Sequence, residues 1–205
     1  KRLYLWPRTS EPQEIAAPIL TELIRIEGTI DYAGPTDTPV RGIEFHGITF
    51  SQAERYSWHG LTGWGVQHDW EAFDAPSGMV RLRGAEDCVF QDCQFVNSGA
   101  TGLRLDLHAQ RNRVQGCQFA HLGGVGVFLC GYGPGAKDVN RENQVVDNYI
   151  HHIGETYWAS AGIFAWQSGR NRIAHNTLHD TPYTAIVVSA RAGLAPFPST
   201  RECSS

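Results

Sequence analysis

CVFQDCQFVNSG (88–99), NRVQGCQFAHLG (112–123), NQVVDNYIHHIG (143–154) and NRIAHNTLHDTP (171–182) can be written one beneath another, and their chemistry agrees column by column. The sixth column holds Cys93, Cys117, Asn148 and Asn176, at intervals of 24, 31 and 28 residues. Three places before it stand Phe90, Val114, Val145 and Ile173; two places after it stand Phe95, Phe119, Ile150 and Leu178. A turn then leads to a second short strand at Gly102-Leu103, Gly126-Val127, Gly162-Ile163 and Ala185-Ile186. The apolar residues alternate with a period of two, which is the strand period and not the helical one.

A unit of this length built from short strands stacks as a solenoid, because a single coil cannot bury its inward face alone. The expected fold is all-β: a parallel β-helix in which each coil pairs with the next at about 4.8 Å. Residues 1–193 are assigned to it, with loop insertions at 51–78 and 131–142 and an irregular Pro/Ser-rich tail at 194–205. Asn148 and Asn176 should form an amide ladder of the kind seen in stacked strands, with Cys93 and Cys117 as small replacements that tolerate burial. An earlier coil is legible in Phe45, Ile48 and Phe50, and residues 23–26 supply a strand before it. A leucine-rich repeat would need a leucine spacing that is absent, and a β-sandwich would not account for the register.

Bulk properties exclude several function classes. The chain has 205 residues and a net charge of −4, with no basic run that would favour nucleic acid. No segment reaches the ~18 apolar residues needed to span a bilayer. The chain starts at Lys1 within an apparent strand and lacks an evident cap at either end, so it is expected to be a fragment with missing terminal coils. Of five cysteines, Cys88, Cys93 and Cys117 fall at solenoid positions and are expected as buried free thiols. No cofactor is expected, and the sequence carries no signal for an oligomeric state.

Four features depart from the repeat. In RLDLH (104–108), Leu103, Leu105 and Leu107 should point inward and Arg104, Asp106 and His108 outward. The next coils put Phe128, Cys130, Phe164 and Trp166 in the corresponding outward places, which suits a ligand groove better than a solvated face. In GYGPGAKDVN (131–140), glycine and proline shape a stiff loop that can bring Asp138 toward Asp106, or Asp138 can simply cap its own turn. HHIGETYW (151–158) brings Glu155, Tyr157 and Trp158 together. There, Asn97, His121, His152 and Asp180 form one column. Two histidines and an aspartate invite a metal reading, but no third strong ligand is evident; a hydrogen-bonded turn column is favoured, and no metal is assigned. The insertion at 51–78 carries Trp58, Trp64 and Trp70 beside His59, His68, Asp69, Glu71 and Asp74. That mixture suits sugar rings or a seal over the solenoid.

The tracts QHDWEAFD (67–74), RLDLH (104–108), GYGPGAKDVN (131–140), HHIGETYW (151–158), WQSGRNRIAHN (166–176) and TPYTAIVVSAR (181–191) resemble secreted bacterial right-handed parallel β-helix proteins, glycoside hydrolase family 141 among them. The resemblance implies a right-handed coil, an extracellular or periplasmic setting, and a polysaccharide or oligosaccharide partner held in a groove outside one sheet. It also implies a carboxylate pair, for which Asp106 and Asp138 match best, with Glu155 as a substitute and Asp180 a further candidate. Arg104, His108, His152, Trp158, Trp166 and Asp180 are the expected substrate contacts. Glycosidic hydrolysis is the leading expectation. A β-helix lyase with Lys137 or Arg104 as base, and a glycan-binding solenoid without turnover, are the alternatives.

Overall fold

The computed structural model describes residues 15–55, 74–133 and 136–190. Residues 3–6, most of the tryptophan-rich insertion and the tail lie outside them. All elements among the described residues are strands, and no helix there is long and apolar enough to cross a membrane.

Among the described residues, eighteen strands form three parallel sheets. The large sheet runs β1 (Ile24–Glu27), β5 (Gly78–Glu86), β8 (Thr101–Gln110), β11 (Val127–Cys130), β15 (Ala161–Trp166) and β18 (Thr184–Ser189), with β2 (Val40–Arg41) on β5 and β12 (Asn140–Arg141) on β8. The second sheet stacks β4 (Thr49–Ala53), β7 (Gln94–Ser98), β10 (Gln118–Leu122), β14 (Tyr149–His151) and β17 (Thr177–His179). The third stacks β3 (Glu44–His46), β6 (Val89–Gln91), β9 (Arg113–Gln115), β13 (Gln144–Val146) and β16 (Arg172–Ala174). Each coil contributes one piece to every sheet, which makes a parallel β-helix.

The register follows the sequence columns. Phe90 pairs with Val114, Val114 with Val145, and Val145 with Ile173. Phe95, Phe119, Ile150 and Leu178 pair in the same way. These side chains fill one continuous core. Aromatic rings stack at close to the strand spacing: the Phe95 and Phe119 centroids are 4.6 Å apart with planes 4° from parallel.

Corners turn through residues in the left-handed region. One column is Gly42, Asp87, Arg111, Glu142 and Arg170; the next is Gly47, Asp92, Gly116, Asp147 and His175; the third is Gln52, Asn97, His121, His152 and Asp180. Asn, Asp, His and Gly reach that region at low cost, so the turns favour them. The first two corners are followed by inward side chains that bind the coil below. Asn148 Oδ1 accepts from the Cys117 amide (2.9 Å), and its Nδ2 donates to Val114 O (3.0 Å) and Asn176 Oδ1 (2.9 Å). A second ladder joins Asn112, Asn143 and Asn171. Cys88, Cys93 and Cys117 occupy the same columns in earlier coils as buried free thiols.

One expectation needs correction. Between Arg83 and Ala85 the β5–β8 register slips, so that Leu107 and His108 oppose the single residue Gly84. Leu107 is buried, but it takes φ 56° in this bulge and does not continue the core alternation, which passes from Leu105 to Ala109.

Candidate functional site

The outer face of the large sheet carries a row of ionic side chains. In-register neighbours Arg81 and Arg104 flank Asp106. Arg81 donates to Asp106 Oδ2 from Nε (2.9 Å) and Nη2 (2.6 Å), and Arg104 Nε donates to the same oxygen (2.8 Å). Arg81 also pairs with Asp74 (2.6 Å), which binds Arg83 as well. Arg104 donates to Ser77 Oγ (2.6 Å) and lies 4.8 Å over the Phe128 ring. Asp106 and Arg104 are both 0% exposed. Asp106 Oδ1 is buried with no hydrogen-bond partner. Burial alone would raise the Asp74 carboxyl, but Arg83 and Arg81 hold it below its ordinary value.

Beyond the bulge, each His108 ring nitrogen meets a carboxylate: Nδ1 is 3.1 Å from Asp37 Oδ2 and Nε2 is 2.7 Å from Glu86 Oε1. The ring can donate to both only when it carries two protons. Glu86 also accepts from Arg41 (2.8 Å) and Arg111 (2.7 Å). Burial works against its charge, yet the hydrogen bonds from His108, Arg41 and Arg111 hold its pKa at about 2. Asp37 accepts from Lys137 Nζ (2.8 Å), Tyr132 Oη (3.0 Å) and the Asp31 amide (2.9 Å). These bonds and the one from His108 keep it below its ordinary value against burial. Burial and the Asp37 charge push the Tyr132 hydroxyl up.

The outward residues Phe128, Cys130 and Trp166 form, with Val125 of the preceding turn, a cluster separate from the core, with Phe164 packed against it. Their outward direction agrees with the alternation, but the expected open strip does not form. Arg104, Asp106, Phe128, Cys130 and Trp166 are all buried. Among the described residues, an open depression of about 530 Å³ is lined by Tyr132, Ala136, Lys137, Asp138, Gln167 and Ser168 among others. Asp138 is 69% exposed there, with Arg141 3.7 Å away. Asp106 is not among its lining residues, so the two carboxylates stand in different surroundings.

Glu155 and Trp158 belong elsewhere. Asp106 is in register with Cys130, and Cys130 with Trp166, the last residue of β15. Glu155 and Trp158 precede β15, at the opposite end of the strands, where His121 Nδ1 donates to Glu155 Oε1 (3.1 Å) and Trp158 is 76% exposed. Of the two residues considered as lyase bases, Lys137 is ion-paired to Asp37 and Arg104 to Asp106.

On the outer edge of the second sheet, His151 and His179 pair in register, and the next residues, His152 and Asp180, both turn through positive φ. His179 Nδ1 donates to Asp180 Oδ2 (2.7 Å), Tyr149 Oη donates to His179 Nε2 (2.7 Å), and His152 Nδ1 lies 3.6 Å from Asp180 Oδ2. The His179 hydrogen bond holds the Asp180 carboxyl low. Burial, and then the neighbouring histidines, depress His151.

Sequence reasoning missed Arg81, Asp37, Glu86 and His179. A signal existed for Arg81, since GMVRLRG (78–84) aligns with TGLRLDL (101–107). Asp37 reaches its partners across 71 to 100 residues outside the repeat, which no spacing encodes.

Comparison with protein families matches residues 75–195 to the family described as "Right handed beta helix region". A comparison with curated proteins found no significant match. Among solved structures, a protein named "Glycoside hydrolase" is similar at 22% identity and a TM-score of 0.67. The alignment covers 88% of this chain and 36% of that one, so the chain spans about a third of that protein's length.

Proposed function

The chain belongs to the right-handed β-helix family, and on that premise we propose that it acts on a carbohydrate polymer along the outer face of its large sheet, by hydrolysing glycosidic bonds. One observation carries the reading. Asp106 is wholly buried, has one oxygen saturated by two guanidiniums and has the other without a partner. Native folds satisfy buried polar atoms almost always, and an exception in the middle of an ionic row points to use rather than filling. The similar solved structure, a glycoside hydrolase by name, supports the same class of chemistry.

Hydrolysis adds water across the bond between the anomeric carbon and the leaving oxygen. One carboxyl gives a proton to that oxygen; a carboxylate either attacks the carbon or takes a proton from the attacking water. Asp138, open to the depression, is the carboxyl that a glycan reaches first. Asp106, held between Arg81 and Arg104, suits the base or nucleophile once the chain opens to expose it to the same substrate. His108 orients the row through Asp37 and Glu86. Trp166 forms an apolar wall beside it. A polymeric glycan as substrate implies an extracellular or periplasmic setting.

A second reading, glycan binding without turnover, is favoured by the closed state of Asp106 and by Asp138 being the only carboxylate among the described residues lining the depression. Incubation with fucosylated and xylose-containing glycans separates the two. Hydrolysis predicts new reducing ends, reduced by about 100-fold or more in Asp138→Asn, whose exposed site leaves folding intact. Saturable binding with no reducing ends would replace hydrolysis by the second reading. Neither binding nor turnover would defeat both.

A further inference from the structure

The histidine column of the second sheet supports an inference independent of the glycan reading. We propose that His152, His179 and Asp180 form a binding site for a first-row divalent transition ion of the zinc class, joining two consecutive coils. One candidate ligand atom from each residue can be chosen so that all three lie within 4.8 Å of one another. A tetrahedral ion with bonds of ~2.1 Å sets its ligand atoms about 3.4 Å apart. The separations from Asp180 Oδ2 are 2.7 Å to His179 Nδ1 and 3.6 Å to His152 Nδ1, on either side of that value. Binding then requires His152 Nδ1 to exchange its 2.8 Å contact with His151 Nδ1 for the ion and the ligand atoms to close from within 4.8 Å to about 3.4 Å.

The fold produces this arrangement without a short motif. His151 and His179 stack as parallel rings, 5.1 Å between centroids and 6° between planes, because they pair in register. The left-handed turn at the following residue brings His152 of one coil beside Asp180 of the next. The second nitrogen of His179 is already engaged: Tyr149 Oη sits 2.7 Å from Nε2, which fixes the ring with Nδ1 toward Asp180. Ligating histidines characteristically have such a partner on the other nitrogen. His121 lies 4.9 Å from the His152 ring and is tied to Glu155, so a further imidazole and carboxylate flank the site. Two imidazoles and one carboxylate suit zinc and its transition-metal neighbours, whereas calcium and magnesium prefer oxygen. The open side leaves room for water to complete the coordination.

The test uses the whole chain without a histidine tag, treated with chelator and desalted. Calorimetric titration with ZnCl2 should give one saturable ion per chain, and Co2+ should give the visible absorption of a tetrahedral site. A hundredfold excess of Zn2+ over its Kd should raise Tm by about 5 °C. Asp180→Asn and His179→Ala should each weaken binding by at least about tenfold. His46→Ala, on another sheet, should leave it unchanged. Asp180→Asn keeps the size of an exposed side chain, so a folding failure of His179→Ala would not remove the test. Absence of saturable binding in the wild type, or wild-type affinity in Asp180→Asn, would overturn the site.

Discussion

Two of the outer faces of this solenoid, those of the large and second sheets, gather clusters of titratable side chains, yet they do so by different means. On the large sheet, Arg81, Arg104 and Asp106 are buried and ion-paired, with Asp74 supplying a second carboxylate to Arg81. On the second sheet, His152, His179 and Asp180 stay 42–59% exposed at the side chain. Removing one member of a buried ion set leaves its partners charged and dry, whereas water replaces a missing partner on an open face. The large-sheet face is therefore bound into the stability of the fold. The histidine face can lose one side chain without a comparable cost to the coils.

The largest expected difference comes from cutting the buried set. Asp106→Ala leaves Arg81 and Arg104 without their shared carboxylate and should cost about 3–5 kcal/mol, read as a lower urea midpoint. Asp180→Ala without metal should leave the midpoint unmoved. Equal effects of the two would erase the contrast between the faces.

Acid provides the next test. Glu86 has an ordinary pKa of 4.5 and is held at about 2 in the fold. A depressed folded value stabilises the protein above pH 4.5, and the contribution fades as pH falls toward 2. The loss should amount to at most about 3 kcal/mol, with Asp37 and Asp74 adding in the same direction. Urea midpoints measured from neutral pH downward should fall less steeply in Glu86→Gln. Parallel curves for the two proteins would refute the assignment.

The inner face sharpens the comparison. Asn148→Ala strands the buried Cys117 amide and Val114 carbonyl, and should cost about 2 kcal/mol. Asn176→Ala, in the less buried coil beyond, should cost less. Smallest of all is Asp138→Asn, within about 0.5 kcal/mol of wild type, so that any large change in its activity reports on chemistry and not on folding.

The core was the legible part of the molecule. Period two fixed the strands, and identical spacing around Cys93, Cys117, Asn148 and Asn176 fixed the register, because stacked coils must repeat whatever faces inward. The outward direction of Arg104, Asp106, Phe128 and Trp166 followed from the same alternation. Their burial did not, since alternation assigns a face and says nothing of what lies over it. The slip at Gly84 escaped notice because it adds one residue inside a strand and no turn signal marks it. His179 escaped for a different reason: it lies one residue before the column, and only the left-handed turns bring that row and the next together.

The central claim is that a glycan lies on the large-sheet side of the coil, at the depression holding Asp138. Backbone amide shifts of the labelled chain, titrated with fucosylated and xylose-containing oligosaccharides, test it directly. The account predicts saturable shifts concentrated at residues 132–133, 136–138 and 167–169. Shifts concentrated instead around His151, His152 and His179, or no saturable shift with any of the oligosaccharides, would contradict it.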